Sequence, residues 1–238
     1  MTAHAELIEP ASVRYPSSDG MPMADNPVHY RWIVTLKENL DQAIPHFVAA
    51  DHLWYPVEGE PKIRVAPDVY VAIGRPKGDE GRPSYRQWLE EGIPPRVVFE
   101  VISPSNSAAE LAKKSVFYYH YGVEEFYLID PEDEPNSVVL LRDRHFESTS
   151  LDGFVSPLLG IRFALEGESL KVQHADGRPF LTWQELAQRA EAESQRAEAE
   201  SQRAEAESQR AEAESQRAEA AEARVTELEA RLRELGQL

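Results

Sequence analysis

The sequence predicts a mixed α/β body followed by one long, solvent-facing helix. Two observations carry this. Short runs rich in Val, Ile, Phe and Tyr punctuate residues 47–142, and a helical stretch lies between two of them. Composition then changes abruptly near residue 180. All 17 prolines and every aromatic lie at or before Trp183, and the heptad RAEAESQ repeats four times from Arg189 to Gln216.

In chain order, residues 1–24 are expected to form an N-terminal extension. They lack the basic start and apolar stretch of a signal peptide. The α/β domain spans residues 25–180. Within it residues 31–44, RWIVTLKENLDQAI, read as a helix with Trp32, Leu36 and Leu40 near one face. FVAADHLWYPV, DVYVAIG and RVVFEVI follow as β-rich runs. Residues 108–121 read as a helix, with Gly122 as its left-handed stop. EFYLID, SVVLLR, IRFAL and SLKVQ complete the strands. A helix between RVVFEVI and EFYLID implies a crossover joining them.

Residues 182–238 form the heptad-repeat unit. Ala, Glu, Gln and Arg favour helix and nothing interrupts them, so residues 183–235 read as one continuous helix. Thr182 is the candidate N-cap, with Glu185 completing a capping box. The best seam through the repeats sets Ser194, Ser201, Ser208 and Ser215 beside Ala197, Ala204, Ala211 and Ala218, and such small side chains bury little area. Ala218, Ala221, Val225, Leu228, Leu232 and Leu235 instead keep a 3-4-3-4-3 apolar spacing. The repeats are thus expected to be a spacer. The end is expected to zip a coiled coil, giving a homo-oligomer and most simply a dimer.

The 238 residues carry 25 Lys plus Arg against 42 Asp plus Glu, a formal charge of -17. That balance opposes non-specific coating of DNA, which needs a basic surface to release counterions. It leaves metal enzymes open, because hard cations bind clustered carboxylates. The absence of cysteine excludes disulfide scaffolds, thiolate metal sites and a Cys nucleophile, and fits a reducing, cytoplasmic setting. No run approaches the roughly 20 apolar residues needed to span a bilayer.

Several chemistries lack their motifs: there is no GxSxG, GxGxxG, GxxxxGK or HExxH. The seven histidines show no metal-ligand spacing, and His46 and His52 read as ordinary polar residues. The loop GRPKGDEGRP offers Arg75, Lys77 and Arg82 to phosphate, but Asp79 and Glu80 offset two of those charges, so a surface loop is the better reading.

What remains is a carboxylate pair. Asp68 follows Pro67 at the head of VYVAI, and Glu100 lies inside the apolar run RVVFEVI. A charge there is expensive unless it is paired, neutralised or metal-bound. Two strand carboxylates converging on one point suit Mg²⁺; the alternative for Glu100 is an ion pair with a lysine of the next helix. Lys113 and Lys114 stand 13 and 14 residues after Glu100. Glu110, Lys114, Tyr118 and Tyr121 share one helix face.

The strings APDV, VVFEVISPSN and ELAKKSVFYYHYGVEEFYLIDP resemble the Uma-two family, within the PD-(D/E)XK nuclease superfamily. The resemblance covers about residues 25–165 and joins four motifs in order. It implies a restriction-endonuclease-like mixed sheet flanked by helices. It also implies hydrolysis of DNA phosphodiester bonds with Mg²⁺ or Mn²⁺. Asp68, Glu100 and Lys114 would be catalytic; Asp68, Glu100 and the Val101 carbonyl would hold the metal. Glu38, Glu110, Lys113 and Tyr118 are accessory candidates. The superfamily's usual lysine position is Ile102 here, so the lysine must come from the helix. A nuclease fold serving only as a binding scaffold is the alternative.

Overall fold

The computed structural model describes residues 13–18, 20, 22–78 and 82–234. The chain divides into two units, Met1–Trp183 and Gln184–Leu238.

The body opens with α1 (Pro27–Ala43). It starts four residues before the expected Arg31, because Asn26 caps it: its side-chain oxygen accepts from the Val28 and His29 amides at 2.9 Å. Pro27, at N1, supplies a helix-ready φ. The strands follow as β1 (Phe47–Ala50), β2 (Trp54–Tyr55), β3 (Val69–Ala72), β4 (Tyr85–Arg86) and β5 (Val97–Val101). Then come α2 (Ala108–Tyr121), β6 (Glu125–Ile129), β7 (Val138–Leu141), β8 (Glu147–Ser150), β9 (Arg162–Glu166) and β10 (Ser169–Gln173).

Six strands form one sheet in the order β1-β3-β5-β6-β7-β8. Only β5 and β6 are parallel, and α2 is the crossover between them. Strand alternation separates two cores. Ile33, Leu36 and Leu40 of α1 pack with Val69, Val71, Val97, Phe99 and Val101, alongside Phe163, Leu170 and Val172 from the β9–β10 hairpin. A second cluster joins Tyr70, Val98 and Phe126 to Tyr118 of α2 and to Trp54 and Tyr85 of the β2–β4 pair.

Two expectations change. Residues 13–18, placed in an N-terminal extension, pack against the body. Tyr15 lies 5.2 Å from Tyr55 and 5.0 Å from Trp88, and the Tyr55 hydroxyl donates to the Pro16 carbonyl at 2.8 Å. An aromatic anchor buries area that the surrounding Pro and Ser residues do not advertise. Strand β8, ESTS, was not expected at all. It is an edge strand with mostly exposed residues, so no apolar alternation reveals it.

The second unit is α3 (Trp183–Glu234), 52 residues and about 78 Å long at the usual rise. Val225 and Leu228 are more than half exposed along it, and Leu232 is 39% exposed. Leu235 lies outside the described residues. Among the described residues, no helix is long and apolar enough to cross a membrane.

Candidate active site

The antiparallel register that pairs Val69 with Phe99 sets Asp68, just before β3, opposite Glu100 of β5. Asp68 Oδ2 accepts the Val101 amide at 2.7 Å, which fixes the carboxylate at the end of the strand pair. Glu100 shares its sheet face with Val98, the face that α2 covers, and is 3% exposed. Lys114 Nζ donates to Glu100 Oε2 at 2.6 Å, and the Tyr118 hydroxyl donates to Oε1 at 2.5 Å. Lys114 and Tyr118 stand four residues apart, so one helical turn delivers both donors to one carboxylate.

Local chemistry sets where α2 begins and ends. The Ser107 hydroxyl accepts the Glu110 amide, and the Glu110 carboxylate accepts the Ser107 amide at 2.9 Å. Gly122 closes the helix with φ +103.

A second layer, absent from the sequence expectations, surrounds Asp68. His29 on α1 is buried, and its Nε2 lies 3.2 Å from Asp68 Oδ2. Its Nδ1 accepts the Asp25 amide at 3.2 Å, so in the neutral ring Nε2 carries the proton and donates to Asp68. The Asp25 carboxylate in turn accepts the hydroxyls of Ser103 and Ser105. The Ser-Pro-Ser-Asn turn after β5 is itself closed by the Ser103 amide donating to Asn106 Oδ1 at 2.9 Å. The start of α1 is thereby latched to the loop leaving β5.

Burial pushes the Glu100 carboxyl up to about 7, helped by the neighbouring Asp68 charge and opposed by Lys114 and Tyr118. Burial pulls against the Lys114 ammonium, yet Glu100 and Asp68 more than offset it and hold its pKa above the ordinary value. The hydrogen bond to Asp68 raises His29 against its own burial. The serine hydroxyls, Ser103 first, hold Asp25 below the usual carboxylate range.

Of the expected residues, Asp68, Glu100, Lys114 and Tyr118 come together. Val101 joins them through the amide on Asp68; the expected role was for its carbonyl. Lys113 is exposed on α2, and Glu110 is occupied by the helix cap. Glu38 lies on the α1 surface with Lys37 Nζ at 3.0 Å, nine residues along the helix from His29. The α1 residue that meets Asp68 is His29. The Asn26-Pro27 pair is a local helix-start signal that the expected start at Arg31 passes over, but nothing local says which sheet edge the helix start will reach.

The basic loop is also settled in part. Arg75 and Arg82 each reach buried Glu90 at 2.9 Å, so neither is a free phosphate ligand. Lys77 donates to the Asp41 carbonyl. Asp79 and Glu80 lie outside the described residues.

The donor set of Asp68 and Glu100 is all oxygen, which fits a hard cation and not a thiophilic one. Mutual repulsion between these carboxylates favours a positive charge between them. Among the described residues no group of three or more His, Asp or Glu could hold an ion. A cation here would therefore rest on two carboxylates, completed by backbone carbonyl and water, a pattern Mg²⁺ accepts. Lys114 would have to release Glu100 Oε2 to it.

A solved structure similar to this chain is described as a putative nuclease belonging to DUF820 from Anabaena variabilis ATCC 29413. It is 15% identical, with a TM-score of 0.40, over 56% of this chain and 73% of that one. No curated protein sequence matches. The profile described as "Uma2: Putative restriction endonuclease" matches residues 4–168, starting well before the residue 25 expected from the motifs. That span exceeds half of the 238 residues, and the chain belongs to the Uma2 family.

Proposed function

We propose that the chain is a metal-dependent endonuclease that hydrolyses DNA phosphodiester bonds. The observation that carries this reading is the convergence of Asp68 and Glu100 with the Lys114 ammonium on Glu100. Asp68, Glu100 and the Val101 carbonyl would hold Mg²⁺ or Mn²⁺. Once bound, such an ion supplies Lewis-acid polarisation of the phosphate and a more acidic water.

The chain's own groups have separate tasks. The Val101 amide and His29 hold Asp68 in one orientation, and the Tyr118 hydroxyl fixes the Glu100 rotamer. Lys114 remains charged at neutral pH and partly solvent-exposed, so it can orient the attacking water and offset charge building on phosphoryl oxygens. In the reaction the water oxygen bonds to phosphorus as the P–O bond to the leaving sugar oxygen breaks. The attacking water gives up a proton to solvent, and the leaving oxygen takes one up from solvent.

One observation favours the scaffold reading. Outside residues 184–238 the chain keeps 17 basic and 28 acidic residues, a net charge of -11 that repels a duplex. Plasmid nicking in Mg²⁺ and in Mn²⁺, comparing wild type with Glu100→Ala purified identically, separates the two. Cleavage that disappears both in the variant and in chelator is the expected result. Equal cleavage by both proteins would place any activity outside this site, and inactive wild type would favour the scaffold.

A further inference from the structure

We propose that the last two described heptads of α3 are a self-recognition surface that pairs with a second copy of this chain, parallel and in register. The proposal does not depend on the nuclease reading.

The apolar stripe stands exposed among the described residues. Placing Ala218, Val225 and Leu232 at the a positions puts Ala221 and Leu228 at d. Val225 and Leu228 are 55% and 54% exposed. A β-branched residue at a with Leu at d is the pairing that favours two strands.

Charge then selects the occupant and its direction. In this frame the g positions are Arg217, Arg224 and Arg231, and the e positions are Glu222 and Glu229. In a parallel, in-register pair each g residue faces the partner's e residue five positions on. Arg217 meets the partner's Glu222 and Arg224 meets the partner's Glu229, twice over by symmetry. An antiparallel pair would set g against g and e against e, Arg facing Arg and Glu facing Glu. The pattern is complementary to itself in one orientation and repulsive in the other.

The repeats before it cannot extend this contact. With Ser208 and Ala211 as a and d, Glu212 and Glu214 occupy e and g, so carboxylates face each other in either orientation. In the alternative frame Glu214 falls on d itself. One pair in the first repeat forms within the helix: Arg189 Nε reaches Glu193 at 3.3 Å, four residues on. The seam changes frame between Ala218 and Ala221, where a three-residue step replaces the four that would continue the repeat. Pairing is confined to the segment after that step.

The absence of cysteine makes a direct test available in the full chain. Ala218→Cys and Val225→Cys, made singly, are both a positions seven residues apart. In the parallel arrangement each residue meets its own copy, so both variants form disulfide-linked dimers on mild oxidation. An antiparallel coil has only one crossing point and can link at most one of them. In sedimentation equilibrium, the variant carrying Glu222→Arg and Glu229→Arg should dissociate at least about tenfold more readily than wild type. The shift should be largest at low salt. Mixing it with the chain carrying Arg217→Glu and Arg224→Glu should restore a dimer. A wild type that stays monomeric, cross-linking at one position only, or a dimer indifferent to the charge reversals would each overturn the proposal.

Discussion

Glu100 is a buried carboxylate on which Lys114 and Tyr118 converge. Its folded-state pKa, about 7, lies above the ordinary 4.5, so the native state holds this proton more tightly than the unfolded chain does. The contribution to stability is therefore complete below about pH 4.5 and is lost as pH rises towards 7. The span is worth on the order of 3 kcal/mol. Glu100→Gln keeps the volume and an oxygen for Tyr118 while removing that titration. Its stability relative to wild type, measured by denaturant unfolding without metal, should rise between about pH 5 and pH 8. A relative stability that stays flat or falls would mean that the ion pair with Lys114 outweighs the burial of the charge. On the nuclease reading, His29 would act through Asp68 as a positioning residue. His29→Ala should lower cleavage by about 10–100-fold, the usual range for groups that orient a metal ligand. His29→Gln offers one donor to Asp68 and one acceptor to the Asp25 amide, and should recover most of that loss. Equal loss in both variants would mean that the imidazole does more than hold Asp68 in place.

At the scale of elements, α2 delivers both donors to Glu100, and its two ends are separately testable. Ser107→Ala removes the cap and should cost about 1 kcal/mol in thermal unfolding. Gly122→Ala meets two obstacles: a φ of +103, and Pro94 Cγ at 3.0 Å from the added methyl carbon. It should cost about 1–2 kcal/mol or more. A Gly122→Ala protein as stable as wild type would show that the loop after α2 relaxes freely. Helix α1 works differently. It packs on the sheet through Ile33, Leu36 and Leu40, and its first turn also reaches the site, so its docking fixes Asp25 and His29 at once.

At the scale of the molecule, the body and α3 are separate compact units. The buried apolar clusters all lie within residues 33–172, and α3 is exposed from Ala187 to Arg233. A chain ending at Trp183 should keep the melting temperature and cooperativity of the body while losing 8 Arg and 14 Glu. Calorimetry of the two lengths checks this; a large fall in the body's transition would show that the repeats support it.

The elements were legible where the signal is local. Residues 108–121 form the expected helix because the helical stretch and its stopping glycine lie together in the chain; the Ser107 cap found in the structure is equally local. The long helix follows from an uninterrupted run of helix formers. Glu100 stood out because a charge inside an apolar run demands an explanation from any fold; Asp68 heads the next such run, and the family resemblance alone set Lys114 apart from Lys113. Other features depended on which surfaces met. His29 and Asp68 are 39 residues apart and Asp25 and Ser103 are 78 apart, so only the docking of α1 joins them. The same holds for Arg75 and Arg82: the sequence sets Asp79 and Glu80 against the loop's charges, but the partner that both arginines reach is Glu90. Local periodicity and capping act over a few residues and can be read along the chain. The partner of a polar side chain depends on packing between distant segments, and only the assembled body specifies it.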